Sequence, residues 1–128
     1  MKLKFTWEKT GERLSPYCAS TRRNNDGISL LASLLMDDGG RNYSQTIAWI
    51  DEGIITTDAI LNGEILTGKW DREAWGAKLK SNKVKIYSLH SDDYTEEIAP
   101  STFRYALVAW KDFIQSSPDI NAIREIEI

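Results

Sequence analysis

Side chains that carry nucleophilic or metal chemistry are scarce in this chain. Its 128 residues include one cysteine, Cys18, and one histidine, His90. A single cysteine excludes an intramolecular disulfide, which is typical of a reducing compartment, and it excludes a cysteine-cluster zinc site. The phosphate-loop pattern GxxxxGKS/T and the dinucleotide pattern GxGxxG are both missing. We therefore expect no catalytic residues, no bound metal, no cofactor and no enzyme activity.

Long hydrophobic runs are missing as well. The longest, Leu30 to Met36, is interrupted by Ser33 and is far shorter than the ~20 residues that span a bilayer. The N-terminal stretch MKLKFTWEKT lacks the apolar segment of a signal peptide. We therefore expect a cytoplasmic protein that does not engage a membrane.

The composition fits one folded domain. Apolar residues make up 41% and charged residues 27% of the chain, which is enough for a core beneath a charged surface. Domains commonly run about 100–150 residues, so we expect a single domain over residues 1–128. The strand-like and helix-like segments described below predict an α+β fold, in which a mostly antiparallel sheet packs against two or three helices.

Charge alternates in blocks along the chain, although the net charge is only −3. That net charge argues against a general nucleic-acid binder, which needs an excess of lysine and arginine. The blocks allow two interpretations: they cancel between neighbouring elements, or one acidic block forms a coherent surface for a basic partner. The basic blocks are residues 1–24 and 69–85, each +4, and the acidic blocks are residues 36–64, −5, and 91–100, −4.

The N-terminal half predicts one strand and two helices. KLKFTW alternates apolar and polar residues from Leu3 onward, which predicts a strand with one buried face. Residues 11–27 are rich in turn formers and charge, so we expect a long, loosely ordered connection. ISLLASLLM fits both helical spacing and strand alternation; we favour a helix capped by Asp26. SQTIAWIDEGI predicts a second helix, capped by Ser44 and stopped by Gly53.

The middle of the chain looks β-like, beginning with TTDAILNGEILTGKW at residues 56–70. Asn62-Gly63 is the dipeptide that most favours a two-residue hairpin turn. EAWGAKL and KVKIYSL then alternate on either side of Ser81-Asn82, which predicts a second antiparallel hairpin with one wet, basic face. The next segment, SDDYTEEIAP, is predicted to be an acidic loop, and the alternating INAIREIEI at the C-terminus predicts a final edge strand.

TFRYALVAWKDFIQ, residues 102–115, predicts the last helix, with Ser101 or Thr102 as its cap. Its large apolar residues recur at spacings of four, three and four, which makes one continuous stripe. Such a stripe either fills a core or lines a ligand site, and its width favours the core. Its members are Phe103, Leu107, Trp110 and Ile114.

A family resemblance rests on three consecutive segments. KVKIYSL, the acidic SDDYTEEIAP and the helical FRYALVAWKDFI resemble the C-terminal half of small bacterial immunity proteins over roughly residues 54–117. These proteins are the antidotes of contact-dependent growth inhibition and related polymorphic toxin systems. The resemblance implies a protein that binds and neutralises a cognate toxin domain, many of which are basic nucleases, without contacting nucleic acid itself. Such a protein needs a preformed, often acidic, surface rather than catalytic residues.

Two groups of residues are candidates for a toxin-binding surface. In the first, carboxylates flank an aromatic residue that can act as a binding hot spot. The second lies before and along the predicted second helix. The first comprises Asp92, Asp93, Tyr94, Glu96 and Glu97, and the second comprises Asp37, Asp38, Asp51 and Glu52.

Other functions stay open at this point. A non-catalytic adaptor or regulatory domain would use the same kinds of surface for a different protein. A small enzyme built around His90, or an RNA-binding domain built on the basic hairpin 69–85, is a more distant alternative. His90 is typical of a solvated loop histidine, and the paired carboxylates Asp37-Asp38 and Glu96-Glu97 are typical of solvated loops, although such pairs also hold hard cations.

Overall fold

The computed structural model describes all residues from 1 to 128 and has two antiparallel sheets with three α-helices. The predicted α+β class is confirmed, but the single sheet expected from the sequence is divided in two. The elements, in chain order, are β1 (Lys2–Thr10), β2 (Arg13–Ser20), α1 (Leu30–Met36), a 3-10 helix (Tyr43–Thr46), α2 (Ile47–Leu61), β3 (Thr67–Asp71), β4 (Trp75–Lys80), β5 (Val84–Ser88), β6 (Thr95–Ile98), α3 (Pro100–Gln115) and β7 (Ile123–Glu127). The strands of the first sheet have the order β2-β1-β7, and those of the second sheet have the order β3-β4-β5-β6.

The first sheet forms around the N-terminal strand. β1 buries Leu3, Phe5 and Trp7 on one face, as the alternation predicts. The expectation of a loose connection over residues 11–27 is wrong, because residues 13–20 form β2 and pair along the whole length of β1. Pro16 is tolerated there because β2 is an edge strand, where a missing N–H breaks no ladder. The predicted final edge strand is confirmed as β7, which pairs with the other side of β1.

The N-cap of helix α1 lies three residues later than the sequence predicts. The helical alternative for residues 28–36 is confirmed, but Ser29 and not Asp26 is the cap, since the Ser29 side chain accepts the N–H of Ala32 at 3.1 Å. The expected cap at Ser44 is also wrong. Asn42 caps the short 3-10 helix that leads into α2.

Helix α2 is longer than the sequence predicts. It runs through Gly53 to Leu61, so neither the stop at Gly53 nor the β character of residues 56–61 is correct. Asn62-Gly63 ends this helix instead of turning a hairpin. The N–H of Gly63 bonds Ile60 and the N–H of Glu64 bonds Ala59, which is a Schellman cap with Gly63 at φ +74°. Both a hairpin turn and this cap require a positive φ, and the same dipeptide satisfies either.

The second sheet contains the predicted hairpin, β4 with β5, whose buried row includes Ala77, Leu79, Val84 and Ile86. Residues 95–98 of the expected acidic loop form a further strand, β6, along β5. Helix α3 then begins at Pro100 with Ala99 as N-cap, so the caps expected at Ser101 or Thr102 are wrong.

The apolar stripe of α3 is core, as predicted: Phe103, Leu107, Trp110 and Ile114 are all buried. Its C-terminal half packs on the first sheet, where the rings of Trp110 and Phe5 lie 5.2 Å apart. Its N-terminal half meets the second sheet, where Phe103 lies edge-on to Trp70 at 6.0 Å. One hydrophobic core of 23 buried residues therefore joins both sheets. None of the three helices has the length and apolar character needed to cross a membrane.

Gly53 is where α2 passes closest to the second sheet. A Cβ at this position would lie 2.8 Å from a ring carbon of Trp70, closer than real side chains approach. Alanine in place of a helical glycine normally stabilises by about 1 kcal/mol. We expect Gly53→Ala to do the reverse and lower the free energy of unfolding by about 1–3 kcal/mol, because the core is overpacked.

Urea denaturation of the variant measures this effect. Glu52→Ala, at the exposed neighbouring position, is the control and should change the free energy of unfolding by less than about 0.5 kcal/mol. A Gly53→Ala protein as stable as the parent would contradict the close approach of Trp70.

Candidate functional site

Two connections meet at one end of the second sheet. Trp75 opens β4 directly opposite Ser88, which closes β5, so the turn before Trp75 and the loop after Ser88 leave the sheet side by side. The N–H of Leu89 donates to the carbonyl of Ala74 at 2.9 Å and ties the two connections together. This end of the sheet therefore brings residues 72–74 beside the predicted acidic loop.

Asp37 fastens helix α1 to this end of the sheet. One of its carboxylate oxygens accepts the N–H groups of Ala74 at 2.9 Å and Trp75 at 3.2 Å. The other accepts the N–H of Gly39 at 3.2 Å. Because these three N–H groups donate to its carboxylate, Asp37 is a structural residue that holds the turn before Trp75 against the end of α1.

A shallow cleft of about 520 Å³ lies beside this junction. Its lining includes Asp37, Asp38, Glu73, Trp75 and His90, so the structure brings part of the second predicted group next to the loop that carries the first. His90 is exposed in that loop. No three His, Cys, Asp or Glu side chains of the chain are placed to hold a metal ion.

An aromatic pair stands beside the cleft. The half-buried rings of Trp75 and Tyr94 stack with centroids 6.4 Å apart and planes 23° apart. The Tyr94 hydroxyl donates to a carboxylate oxygen of Asp26 at 2.8 Å, and this hydrogen bond raises the pKa of Tyr94. Asp92 and Asp93 are exposed at the tip of the same loop and take part in none of the ion pairs of the structure.

Together these residues form a surface that we call the acidic end. It consists of six carboxylates around two stacked aromatic rings. Its members are Asp26, Asp37, Asp38, Glu73, Asp92, Asp93, Trp75 and Tyr94.

Two arginines lie close to the acidic end. The backbone N–H of Arg41 donates to the carbonyl of Asp38 at 3.0 Å, and the charge of Arg41 acts on Arg72. The Arg72 guanidinium sits over the ring of Trp49 at 3.0 Å from its centroid, and Trp49 in turn stacks on Trp70 at 4.0 Å. Burial lowers the pKa of Arg72 to about 10, while the nearby carboxylates of Asp37 and Asp38 oppose that shift. Arg72 thus stays charged at neutral pH and offsets part of the negative charge from beneath.

Strand alternation separates Glu96 from Glu97. Glu97 lies on the outer face of β6 and pairs with Lys83 at 3.0 Å. Glu96 points to the core side with its side chain only 9% exposed, pairs with Arg22 at 3.1 Å and accepts the N–H of Leu31 at 3.2 Å. The adjacent carboxylates therefore do not form one surface, and Glu96 instead joins β6 to the start of α1.

Asp51 and Glu52 lie apart from the acidic end, on helix α2. Asp51 pairs with Lys111 of α3 at 2.6 Å and helps join the two helices. Glu52 is exposed. The second predicted group is therefore divided between the cleft and the α2 surface.

Cys18 is buried in β2. Burial raises the pKa of its thiol to about 12, so very little thiolate exists at neutral pH.

Three members of the acidic end are absent from the groups that the sequence predicts: Asp26, Glu73 and Trp75. The sequence pattern predicts Asp26 as a helix cap and Trp75 as part of a hairpin. Tyr94 comes beside Trp75 because it directly precedes β6, and its carbonyl accepts the N–H of Ser88 at 3.2 Å. The four residues of β6, Thr95–Ile98, include one apolar residue, so no alternation in the sequence signals this strand.

Comparison with protein-family models, with curated proteins and with solved structures finds no match for this chain.

The buried position of Glu96 predicts a pH dependence of stability. Burial raises its pKa, while Arg22 and the N–H of Leu31 oppose the shift. A folded state that binds the proton more tightly than the unfolded chain is favoured at low pH, and this advantage is lost as the pH rises through the folded pKa. The parent protein should therefore lose stability relative to Glu96→Gln as the pH rises from the ordinary glutamate pKa of about 4.3 through the raised folded pKa.

Chemical denaturation of both proteins at several pH values measures this difference. Glu97→Gln, which removes the exposed carboxylate next in the strand, is the matched control for loss of one charge. A stability difference between the parent and Glu96→Gln that is independent of pH would show that burial of Glu96 leaves its proton affinity unchanged.

Proposed function

We propose that this protein is an immunity protein that neutralises a bacterial toxin domain by tight association, with the acidic end as the docking surface. The observation that carries the proposal is the Trp75–Tyr94 stack with carboxylates around it. Tryptophan and tyrosine are enriched at binding hot spots, where they are surrounded by a rim of less energetic contacts. The segment resemblance and this arrangement favour the same class of function.

The charge of the acidic end favours a basic partner such as a nuclease effector. Asp92, Asp93 and Glu73 make no ion pair within the protein, so their charge is available to an incoming surface. Complementary charge of this kind accelerates encounter and selects the partner. The stacked rings would then supply the apolar contact that slows dissociation.

The preformed geometry of the loop supports tight binding. The hydrogen bond from Tyr94 to Asp26 and the backbone bond between Leu89 and Ala74 hold the rings before any partner arrives. A surface ordered in advance loses less conformational entropy on association than a loose loop does. These contacts fit an inhibitor that must act quickly on its toxin.

Growth rescue tests the function directly. The toxin domain encoded beside this gene is expressed with and without this protein, and the complex is then purified. We expect rescue of growth and a stoichiometric complex. Absence of both would reject the immunity function and leave the adaptor as the better hypothesis for this surface.

Charge reversal tests the docking surface. We expect Asp92→Lys/Asp93→Lys to weaken the complex more than about tenfold, equivalent to about 1.4 kcal/mol, because attraction becomes repulsion. Isothermal titration calorimetry at two salt concentrations measures the loss, and the parent complex should weaken as salt rises. Asp112→Lys/Glu127→Lys is a control with the same change in net charge on exposed residues of α3 and β7.

The α2 carboxylates provide a second comparison. Asp51→Lys/Glu52→Lys should affect affinity much less than the loop variant does, because these residues lie outside the acidic end. Unchanged affinity in Asp92→Lys/Asp93→Lys, or a larger loss in Asp51→Lys/Glu52→Lys, would contradict docking at the acidic end, even if the complex itself forms.

A further inference from the structure

The outer face of the second sheet is open and basic. It carries four exposed lysines, one on β3, two on β4 and one on β5. The helices pack on the opposite face of this sheet, where its buried rows lie. We call this surface the lysine face, and its members are Lys69, Lys78, Lys80 and Lys85.

The register places three of these lysines in one row. Lys69 lies opposite Lys78, and Lys78 lies opposite Lys85. Directly opposed residues have Cβ atoms about 4.5–5.5 Å apart, and like charges at that separation destabilise a sheet. The lysine face therefore carries a local electrostatic cost that an anionic partner would relieve.

Little within the protein neutralises this row. Lys69 pairs with Asp71 at 3.1 Å, but none of the six ion pairs includes Lys78, Lys80 or Lys85. The ammonium of Lys78 has a weak aromatic contact, 5.5 Å from the ring centroid of Tyr87. Glu97 of β6 lies opposite Lys85 at the end of this row, but its carboxylate pairs with Lys83 at 3.0 Å. Lys78, Lys80 and Lys85 thus make no ion pair within the protein.

From this arrangement we infer that the lysine face binds the phosphate backbone of a single-stranded nucleic acid. The width of the four-stranded surface favours a single strand over a duplex. Its outer strands lie about 14 Å apart, since neighbouring strands are about 4.8 Å apart, whereas the DNA major groove is about 12 Å wide. The sheet face therefore cannot enter that groove, but a single strand can lie across it.

Sheet faces that bind single strands combine cations with an aromatic ring. Tyr87 occupies that position here, in the row next to the lysines. Its hydroxyl donates to Asp71 across Gly76, which fixes the ring on the outer face. A base can stack beside the ring while the phosphates follow the lysines.

This inference differs from the expectation that the net charge of −3 sets. Net charge averages over the whole molecule, whereas a bound strand responds to charges within about 8–10 Å of it, the Debye length in physiological buffers. The lysine face and the acidic end lie on different parts of the protein. The inference therefore does not depend on the proposed immunity function, and the isolated protein suffices to test it.

Fluorescence anisotropy with a labelled oligothymidylate of about 20 nucleotides tests the site. We expect binding at about 100 mM NaCl, where the Debye length is about 10 Å, and this binding should weaken as salt rises, with a log–log slope of about −2 for three neutralised phosphates. Lys78→Gln/Lys85→Gln should weaken binding about tenfold or more and flatten that slope. The thermal stability of this double variant should not fall, because the substitutions remove like charges that lie opposite each other in the sheet.

A control with the same change in net charge is Lys4→Gln/Lys9→Gln, at two exposed positions of β1 in the first sheet, which should leave binding nearly unchanged. Equal loss in both variants, or no binding of the parent protein at about 100 mM NaCl, would overturn the assignment of the lysine face. Equal competition by polyglutamate would overturn nucleic acid as the occupant, and equal competition by a duplex of the same length would overturn the preference for a single strand.

Discussion

Burial of helix α3 against both sheets is the interaction on which the rest of the structure depends. Its C-terminal half packs Trp110 and Phe113 against Phe5 of the first sheet, and its N-terminal half places Phe103 against Trp70 of the second. Each such side chain contributes about 1.5–3 kcal/mol when fully buried, so the helix is a large share of what holds the sheets together. The position of the acidic end relative to the first sheet follows from this packing.

Some carboxylates in this protein stabilise the fold and others face solvent. The residues next to them in the sequence do not show which role a carboxylate has. Asp37 and Glu96 accept backbone N–H groups and so join the two ends of helix α1 to the second sheet. Asp92 and Asp93 make no such contact and stay exposed. Acidic residues that are close in the sequence therefore do not form one surface. Some of them are structural, and the others are available to a partner.

The sequence predicts local patterns well here and non-local contacts poorly. The β4–β5 hairpin and α3 are confirmed because their periodicity lies within one continuous segment. The sequence predicts a loose connection where β2 lies, because this segment contains turn-forming residues. An edge strand tolerates such residues, and pairing with β1 stabilises β2. The prediction of a hairpin turn at Asn62-Gly63 is wrong because a helix C-cap and this turn both need a positive φ at the glycine. The Trp75–Tyr94 contact depends on strand order, which no single segment encodes.

The second sheet separates charges of opposite sign on one rigid element. The lysine row and the acidic end are divided by the row that contains Asp71, Gly76 and Tyr87. From Lys85 to Leu89 the chain advances about 13 Å, which exceeds the Debye length of about 8 Å at physiological ionic strength. The two fields are therefore largely independent in the cell. A basic protein at the acidic end and an anionic strand on the lysine face would accordingly bind without cancelling each other's attraction.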